Sequence, residues 1–538
     1  MPLKLHLNKK RILYAICFAL FCLIDQRTKT CSGLDGWLES FRDLTGVVMA
    51  ALIMSHYHIA DFTKHKLPYL VWSLVGIVGG VFFAVCGQQY IYFWNDRIVI
   101  ALDIFLFGHI LLHTLIDVLL DKKRPKLNNR FACCWLVMML WMIVSRSEYI
   151  WPLTYLIMFG CFYLTDYTKE EQEDLFHGMA DGIILAFFLM QGWAFVFRPY
   201  DMVRYKGAYN NCNMNALFYC IVLAAAISKL IYHTRKSANR WIRLYYWLGI
   251  GVTLAFLFMT VGRTGWMTAA VLVLVGLLAV KKITAKKNFI KNGLLVVLCF
   301  CLMFPLVFGA VRYLPPAFHH PVWFFGEWRE TRVHSWDPWD SEKFVDLDEL
   351  LREVSGRVGN ILEYFSDNSA LVIRAKAAEA TPEQMARYEE MLRQGYALGM
   401  EYKGQSIPVR KAIYKYYIEH LNLLGHPYSE QGFQLWPTYW IGHAHNIYMQ
   451  YGTDFGIPVL MLFTALIFWA AALYVCQFLA DPSDKPEKAV GSLLFLLVPA
   501  VFGLLEYCWG VGSLSITLLF IVWRRAICDE NSNGLAKG

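Results

Sequence analysis

Long apolar runs separated by short polar loops make up most of the chain, and one long polar passage, residues 312–456, interrupts them. Because about 20 apolar residues in a helix cross a bilayer, each run predicts a membrane span. Before the polar passage the predicted spans are 11–25, 44–61, 69–87, 98–120, 131–146, 150–166, 175–197, 213–233, 241–261, 264–281 and 289–311. After it they are 456–479, 489–507 and 512–524. Gly510 and Gly512 leave open whether the last pair is two spans or one kinked span.

The composition agrees with this pattern, because 57% of the 538 residues are hydrophobic and only 17% are charged. Such a balance is typical of membrane proteins rather than soluble ones. The sequence therefore predicts an all-α polytopic membrane protein with about 12–14 transmembrane helices and one large, mostly helical extracytoplasmic loop. We divide it into a transmembrane body of about 11 spans (1–311), a cap loop (312–444), C-terminal transmembrane helices (445–525) and a cytoplasmic tail (526–538).

Basic residues cluster in the loops on one predicted side of the membrane. The clusters lie at 4–11, 122–130, 235–243 and 281–291. Since loops rich in Lys and Arg stay in the cytoplasm, we expect a multi-pass protein of the bacterial plasma membrane with a cytoplasmic N-terminus and the passage 312–456 outside. The +8 net charge is then an orientation signal rather than a sign of nucleic-acid binding. The first helix follows Lys9-Lys10-Arg11 without a small-residue cleavage site, so we expect it to be retained.

The polar passage is predicted to be mostly helical. Thr381-Pro382 followed by Gln384 indicates a helix start, and this helix is predicted to reach about Gly395. A second helix is predicted over 409–423, because its apolar residues recur at helical spacing. The passage contains no cysteine, so packing rather than disulfides must hold the cap.

A polar segment directly before the predicted span 213–233 carries cations, a glycine and amides on the predicted outer side. Its candidate substrate-binding residues are Arg204, Lys206, Gly207, Tyr209, Asn211 and Asn213. Cations and amides bind phosphate oxygens and sugar hydroxyls. The same residues also fit an interfacial loop whose cations extend to water.

Arginines form the second group of candidates. Arg263 is the single charge in the short turn 260–265 between two apolar runs. A guanidinium at this depth needs a partner or an anion, and its planar fork suits a phosphate; capping a helix end is the alternative. Arg410 on the second cap helix and Arg357 earlier in the cap are rivals for a second phosphate-binding arginine, and either one alone also fits a solvated surface arginine.

A histidine marks the seam between the cap and the next apolar run. His445 is predicted to lie at the outer membrane surface, where an imidazole can act as a base, and Asn446 beside it can bind substrate. His443 and His445 together suggest a metal site, but no carboxylate or cysteine lies nearby at ligand spacing, so no metal is expected. The alternative to a catalytic role is that His445 is a structural residue whose hydrogen bonds are all made within the protein.

Some ionisable residues fall inside predicted spans. His109, His113 and Asp117 recur at i, i+4 and i+8 and share one helix face, with Asp103 over one turn earlier. Such residues suggest a proton path, although hydrogen bonding between helices is the interpretation we favour. Glu506 in the penultimate span has no assigned partner.

Four short motifs occur in the order and topology of a known superfamily. They are Gly207-x-Tyr209-x-Asn211-x-Asn213, then Gly262-Arg263-Thr264-Gly265, then Arg410 with Tyr414 and Gly425, and finally His445-Asn446 followed by Gly452 and Gly456. Together they resemble the O-antigen ligase and O-antigen polymerase superfamily of integral-membrane, GT-C-like glycosyltransferases over residues 200–470. The chain has Gly262 where that family usually has serine.

The resemblance implies an inverting, metal-independent transfer of a glycan from undecaprenyl diphosphate or another polyprenyl diphosphate to an acceptor hydroxyl, in cell-surface polysaccharide biosynthesis. No cofactor is expected. It implies that Arg263 and Arg410 bind the diphosphate and that His445 takes the proton of the acceptor hydroxyl. Asn211 and Asn213 would shape the pocket. Whether the protein is a ligase or a polymerase, and whether the acceptor is a glycan, a lipid or a protein, stays open.

Two functions of other classes compete with this expectation. A multi-span transporter or flippase of a lipid-linked or small anionic substrate predicts broken helices and binding residues at mid-depth, and the histidine stripe on the fourth predicted span favours it. A membrane scaffold or sensor predicts a cap that binds a partner without catalysis. Convergence of the arginines with His445 in one cavity separates the enzyme from both.

Overall fold

The structure is a computed structural model of the chain. It describes residues 9–24, 45–54, 59–89, 94–122, 129–147, 152, 155–156, 159–160, 163, 169–196, 200–201, 204–209, 211–236, 239–284, 289–318, 347–366, 399–402, 405–427, 433–436, 439–480, 486–507, 518–519 and 521–523.

Helices dominate the described residues. The N-terminal half has α1 (Lys9–Ile24), α2 (Thr45–Met54), α3 (Ile59–Lys64), α4 (Lys66–Cys86), α5 (Trp94–Leu119), α6 (Asn129–Val144), α7 (Lys169–Val196), α8 (Cys212–Arg235), α9 (Arg240–Met259), α10 (Arg263–Thr284) and α11 (Phe289–Phe318). The C-terminal half has α12 (Leu347–Ser366), α13 (Val409–Glu419), α14 (Ile447–Phe455), α15 (Ile457–Ala480) and α16 (Pro486–Phe502).

Three short antiparallel ribbons accompany the helices. They pair β1 (Tyr200–Asp201) with β2 (Arg204–Tyr205), β3 (Gly399–Tyr402) with β4 (Gln405–Pro408), and β5 (Phe433–Trp436) with β6 (Tyr439–Ile441). In these ribbons Asp201 lies opposite Arg204, Met400 opposite Ile407 and Phe433 opposite Ile441. Each ribbon has two strands, so it is stable only where it packs on the helices.

Helix α8 is the centre of the bundle. The apolar stretch of α8 is 94% buried, whereas that of α4 is 11% buried, so α4 lies at the periphery. Helices α7, α9, α10 and α16 all pack on α8. The small residues Ala224–Ala226 are buried against these neighbours, because small side chains let helix backbones approach closely.

Eight helices in the described part of the chain are long and apolar enough to cross a membrane. They are α4, α5, α7, α8, α9, α10, α11 and α15. The predicted multi-pass, mainly helical membrane protein is thereby confirmed. The shorter α1, α6 and α16 coincide with predicted spans 11–25, 131–146 and 489–507. The total of about 12–14 spans stays a prediction, and so does the outer location of the cap.

The cap region differs from the mostly helical prediction in one respect. The helix predicted over 409–423 is present as α13, with Ile413 and Tyr417 buried. Strands β3 to β6 form two β-ribbons in this region. The sequence did not indicate them, because strands of three or four residues are too short to leave a clear alternation. The helix predicted from Thr381 lies outside the described residues.

Candidate functional site

The first part of the site is the polar turn that leads into α8. Gly207 has a left-handed backbone with φ of +61°, and a side chain there would collide with Asn215, so the turn requires glycine. Asn211 caps α8, since its side-chain oxygen accepts a 2.7 Å hydrogen bond from the backbone N–H of Asn213. The turn places Arg204 and Asn213 at the start of the central helix.

The second part is the turn between α9 and α10. Val261 has φ of +50°, a conformation that a β-branched residue rarely adopts and that is found mainly at functional sites. The Arg204 Nε donates a 2.9 Å hydrogen bond to the carbonyl of Thr260, which ties this turn to the first one. Arg263 is the first residue of α10. The starts of α8 and α10 therefore lie together, at what we call the site end of the bundle.

Glu506, just after α16, connects the separate parts of the site. Its carboxylate lies 2.6 Å from a terminal guanidinium nitrogen of Arg410 and 3.2 Å from Nδ1 of His445. It also accepts a 3.0 Å hydrogen bond from the amide of Asn213, whose oxygen accepts a 2.6 Å bond from Arg204. Residues that are 293 positions apart in the chain thus share one carboxylate.

The electrostatics of Glu506 follow from these neighbours. The residue is 5% exposed, and burial alone raises the pKa of a carboxyl. The hydrogen bond from His445 and the positive charge of Arg410 outweigh burial and hold the pKa of Glu506 below its usual value. Glu506 is therefore ionised at neutral pH.

His445 is held in a fixed orientation above Glu506. Its backbone is left-handed with φ of +50°, and its carbonyl accepts a 3.4 Å hydrogen bond from the Tyr414 hydroxyl. The next residue, Asn446, caps α14 and donates a 2.8 Å bond to the carbonyl of Leu504. Because an ionised carboxylate only accepts hydrogen bonds, Nδ1 of His445 donates to Glu506. In this tautomer of a neutral imidazole the lone pair is on Nε2, the nitrogen through which a histidine can act as a base.

Four arginines gather at the site end. Arg263 is close enough to Arg357, Arg410 and Arg204 to interact with their charges, and also with Glu506. Arg357 is paired with Glu353 at 2.8 Å on α12, and Arg410 is paired with Glu506. In the part of the chain that the structure describes, the guanidinium of Arg263 has no hydrogen bond or ion pair. Among the described residues, Arg263 thus keeps a guanidinium that can bind an anion, beside two arginines that are paired with carboxylates.

The remaining predicted binding residues frame the site. Lys206 and Tyr209 are buried at 3% and 7% exposure, and Tyr209 packs on Phe218 with 5.7 Å between ring centroids. Asn211 and Asn446 are helix caps. Substrate binding by these four residues stays a prediction.

The structure adds to the sequence interpretation of Arg357, Arg410 and Glu506. Arg357 and Arg410 both lie within electrostatic reach of Arg263, and which of them is the second phosphate-binding arginine stays a prediction. Glu506 carried no predicted role, although it joins Arg410, His445 and Asn213. A carboxylate inside an apolar stretch was the available signal, but the sequence does not tell which cations reach it.

The histidine stripe lies on α5 and is packed against α4. The Tyr69 hydroxyl is hydrogen-bonded to Nδ1 of the buried His113, and Tyr69 also packs on His109 at 5.2 Å between centroids. Asp117 lies 3.9 Å from His113. These contacts agree with the favoured interpretation of hydrogen bonding between helices.

Among the described residues no group of three or more His, Cys, Asp or Glu side chains is placed to hold a metal ion. Comparison with protein-family models, with characterised proteins and with solved structures finds no match to this chain. The fold and the site therefore define only the class of the protein. It is a multi-pass helical membrane protein with an arginine-rich site built around one buried carboxylate.

Proposed function

We propose that this protein is a membrane glycosyltransferase of the O-antigen ligase and polymerase type. It would move a glycan from a polyprenyl diphosphate to an acceptor hydroxyl at the outer face of the plasma membrane. The observation that carries the proposal is the guanidinium of Arg263, which has no hydrogen bond or ion pair among the described residues, in a site where Glu506 orients His445. A phosphate-bearing substrate fits such a site better than a neutral one.

The donor would bind with its diphosphate between the arginines. Arg263 supplies a guanidinium that has no partner among the described residues. Arg204 is held in place by its hydrogen bond to Thr260, and Arg410 by its hydrogen bond to Glu506. When the bond between the anomeric carbon and the phosphate oxygen breaks, its electron pair goes to the diphosphate. Fixed cations stabilise that developing charge, and they need no rearrangement during the reaction.

The proton would leave through His445. The acceptor oxygen forms the new bond to the anomeric carbon from the side opposite the diphosphate, so one displacement inverts the configuration. Its proton passes to Nε2 of His445, and the imidazolium that results is stabilised by Glu506 at 3.2 Å. Glu506 is a positioning residue, since it fixes the tautomer and ring orientation without touching the substrate.

The membrane setting fits a lipid-borne donor. The site end lies where the spans α8 and α10 start, so a polyprenyl chain would stay in the bilayer while its diphosphate reaches the arginines. The basic clusters at 235–243 and 281–291 lie at the opposite end of the same helices, which supports an outer location of the site by the positive-inside rule. The cap segments α12 and α13 would then complete the site from the extracytoplasmic side.

A transporter or flippase is the alternative function. The titratable stripe of His109, His113 and Asp117 on α5 favours it, because ionisable residues at membrane depth often carry protons. The hydrogen bond between Tyr69 and His113 gives the stripe a role in joining α4 to α5. The enzyme is the stronger proposal, because its candidate residues from the cap and from separate parts of the bundle meet at Glu506.

Deletion of the gene from the cells that make the protein tests the function whatever the acceptor is. If the protein consumes a lipid-linked glycan, its loss should cause glycan-bearing polyprenyl diphosphate to accumulate, as seen by mass spectrometry of extracted lipids. Purified protein added to that lipid and to deletion membranes with EDTA should restore transfer. Equal amounts of the lipid-linked glycan with and without the gene would rule the enzyme out.

A further inference from the structure

His443 is a histidine of the site that the proposed chemistry does not use. It lies two residues before His445 in the loop between β6 and α14. Its ring stacks on Tyr507, with 5.4 Å between centroids and 20° between planes. It also meets the ring of His445 edge to face at 4.3 Å. Tyr507 directly follows Glu506, so the shared carboxylate and this aromatic pair lie side by side.

The imidazole of His443 is uncharged and has an unused hydrogen-bonding group. Burial and the neighbouring His445 lower its pKa to about 4, so the ring is neutral at physiological pH. Nδ1 is enclosed and, among the described residues, has no hydrogen-bond partner. Nε2 is then the nitrogen that faces outward, and it has no described partner either. A neutral ring nitrogen donates to or accepts from a hydroxyl equally well.

The charges that act on the two parts of the site are different. The charges of Arg357, Arg410, Arg204 and Glu506 act on Arg263, whereas those that act on His443 belong to His445 and Glu506. Among the described residues, His445 and Glu506 thus connect an arginine-rich part of the site with an aromatic part formed by His443 and Tyr507. A diphosphate matches the first. The second matches a sugar, which has hydroxyl groups along its edges and apolar ring faces that pack on aromatic rings.

We propose that His443 and Tyr507 form the acceptor side of the site and that the acceptor group is a carbohydrate hydroxyl. This deepens the proposed function and rests on it. Nε2 of His443 hydrogen-bonds the acceptor hydroxyl and turns its O–H toward Nε2 of His445. His443 exchanges no proton itself. It is a specificity residue that touches the acceptor.

Two substitutions of His443 separate this role from simple packing. His443→Phe keeps an aromatic ring against Tyr507 but removes both nitrogens, while His443→Gln places an amide near the position of Nε2. His420→Phe is the matched control, because His420 also stacks on a tyrosine, Tyr416, at 3.9 Å, but is not connected to Glu506 in the described contacts. All variants are first compared by thermal melting in detergent.

The assay uses donor lipid extracted from deletion cells and, as the acceptor, the surface glycan fraction of cells unable to make the donor. We expect His443→Phe to raise the KM for the acceptor roughly tenfold while the KM for the donor and kcat change little. His443→Gln should recover most of the loss, and His420→Phe should behave as the wild-type protein.

Two results overturn the inference while the proposed function stands. One is a His443→Phe protein with unchanged acceptor KM, and the other is a loss confined to kcat or to donor binding. Preferred transfer to a lipid or protein fraction free of sugar would also overturn it, because the acceptor would then not be a carbohydrate. If the wild-type protein does not consume the donor lipid at all, the proposed function fails, and the assignment of His443 fails with it.

Discussion

The two ends of the helix bundle handle charge in opposite ways. At the site end, four arginines face Glu353 and Glu506. At the other end, where α8 finishes, five cations pair with four carboxylates of neighbouring helices. These pairs are Lys10 with Glu171 at 2.5 Å, Arg11 with Asp181 at 2.6 Å, Lys229 with Asp181 at 2.5 Å, Arg235 with Glu487 at 2.9 Å and Lys488 with Glu173 at 2.9 Å.

The difference separates structural charge from functional charge. Asp181 joins α1, α7 and α8 by accepting from Arg11 and by contacting Lys229, which is 1% exposed. A buried ion pair that is balanced in this way fixes how helices dock. At the site end, Arg263 has no carboxylate partner among the described residues, so its charge is available to a ligand. The following predictions test that division.

Loss of the cation without a partner should have the largest effect. Arg263→Ala is expected to reduce glycan transfer roughly a thousandfold, because a fixed charge on the leaving group acts mainly in the transition state. Arg263→Lys should retain a part, since an ammonium keeps the charge but lacks the fork. Initial rates of loss of the donor lipid measure both.

The exposed Arg240 at the opposite end provides the control for this prediction. Arg240→Ala removes the same charge from the protein and should leave the rate unchanged. Equal rates for Arg263→Ala and the wild-type protein, at equal membrane abundance, would contradict the assignment of the site.

A balanced pair at the opposite end should matter for stability instead. Asp181→Ala leaves the ammonium of Lys229 buried without its counter-charge, and this is expected to cost roughly 3 kcal/mol of unfolding free energy. Lys229→Met should cost less, because it replaces the buried charge by an apolar chain of similar length. Thermal melting in detergent gives the order of the variants.

Transfer per folded molecule should stay close to normal in both variants. A large fall in specific rate without loss of stability would show that the charges at this end take part in function, and the contrast between the ends would no longer hold.

Glu506 both balances the charge of Arg410 and orients His445. Its substitution should therefore reduce the rate of glycan transfer less than the loss of Arg263 does. Glu506→Gln keeps hydrogen bonding to Arg410 but removes the charge that fixes His445. We expect a fall in kcat of roughly thirtyfold with little change in donor KM, because a carboxylate oriented on a catalytic histidine acts through that histidine. Glu353→Gln on α12 is the control, since Glu353 has no described contact with His445. A change in donor KM alone would instead assign Glu506 to substrate binding.

The sequence allowed part of this site to be predicted. Arg263 could be singled out because a charge between apolar runs needs a reason, and His445 because it lies where the cap meets the next apolar run. Arg410 was one of two rival arginines of the cap, and its role came from the family resemblance. The partners could not be predicted, since Glu506 meets Asn213 across 293 residues. At the opposite end, the contact between Asp181 and Lys229 could not be predicted either, because the two residues lie on different helices. Helical spans follow from local composition, whereas these contacts depend on how helices pack.

The smallest expected effect is on the pH dependence of stability, to which His443 and Glu506 should contribute in different pH ranges. The pKa of His443 is lowered from 6.5 to about 4, so the unfolded chain binds a proton more readily than the folded protein between these values. Stability should therefore fall as pH decreases from 6.5 to about 4, and His443→Phe should remove that part of the fall.

Glu506 also has a lowered pKa, but it is an acid, so its ionised form stabilises the fold at pH values above 4.5, the pKa of an unfolded carboxyl group. That stabilisation is lost only as the pH falls through the lower pKa of Glu506 in the folded protein. Melting curves of the wild-type, His443→Phe and Glu506→Gln proteins from pH 7.5 to 3.5 should thus diverge in two windows, and identical acid profiles for wild-type and His443→Phe would contradict a buried, neutral imidazole beside His445.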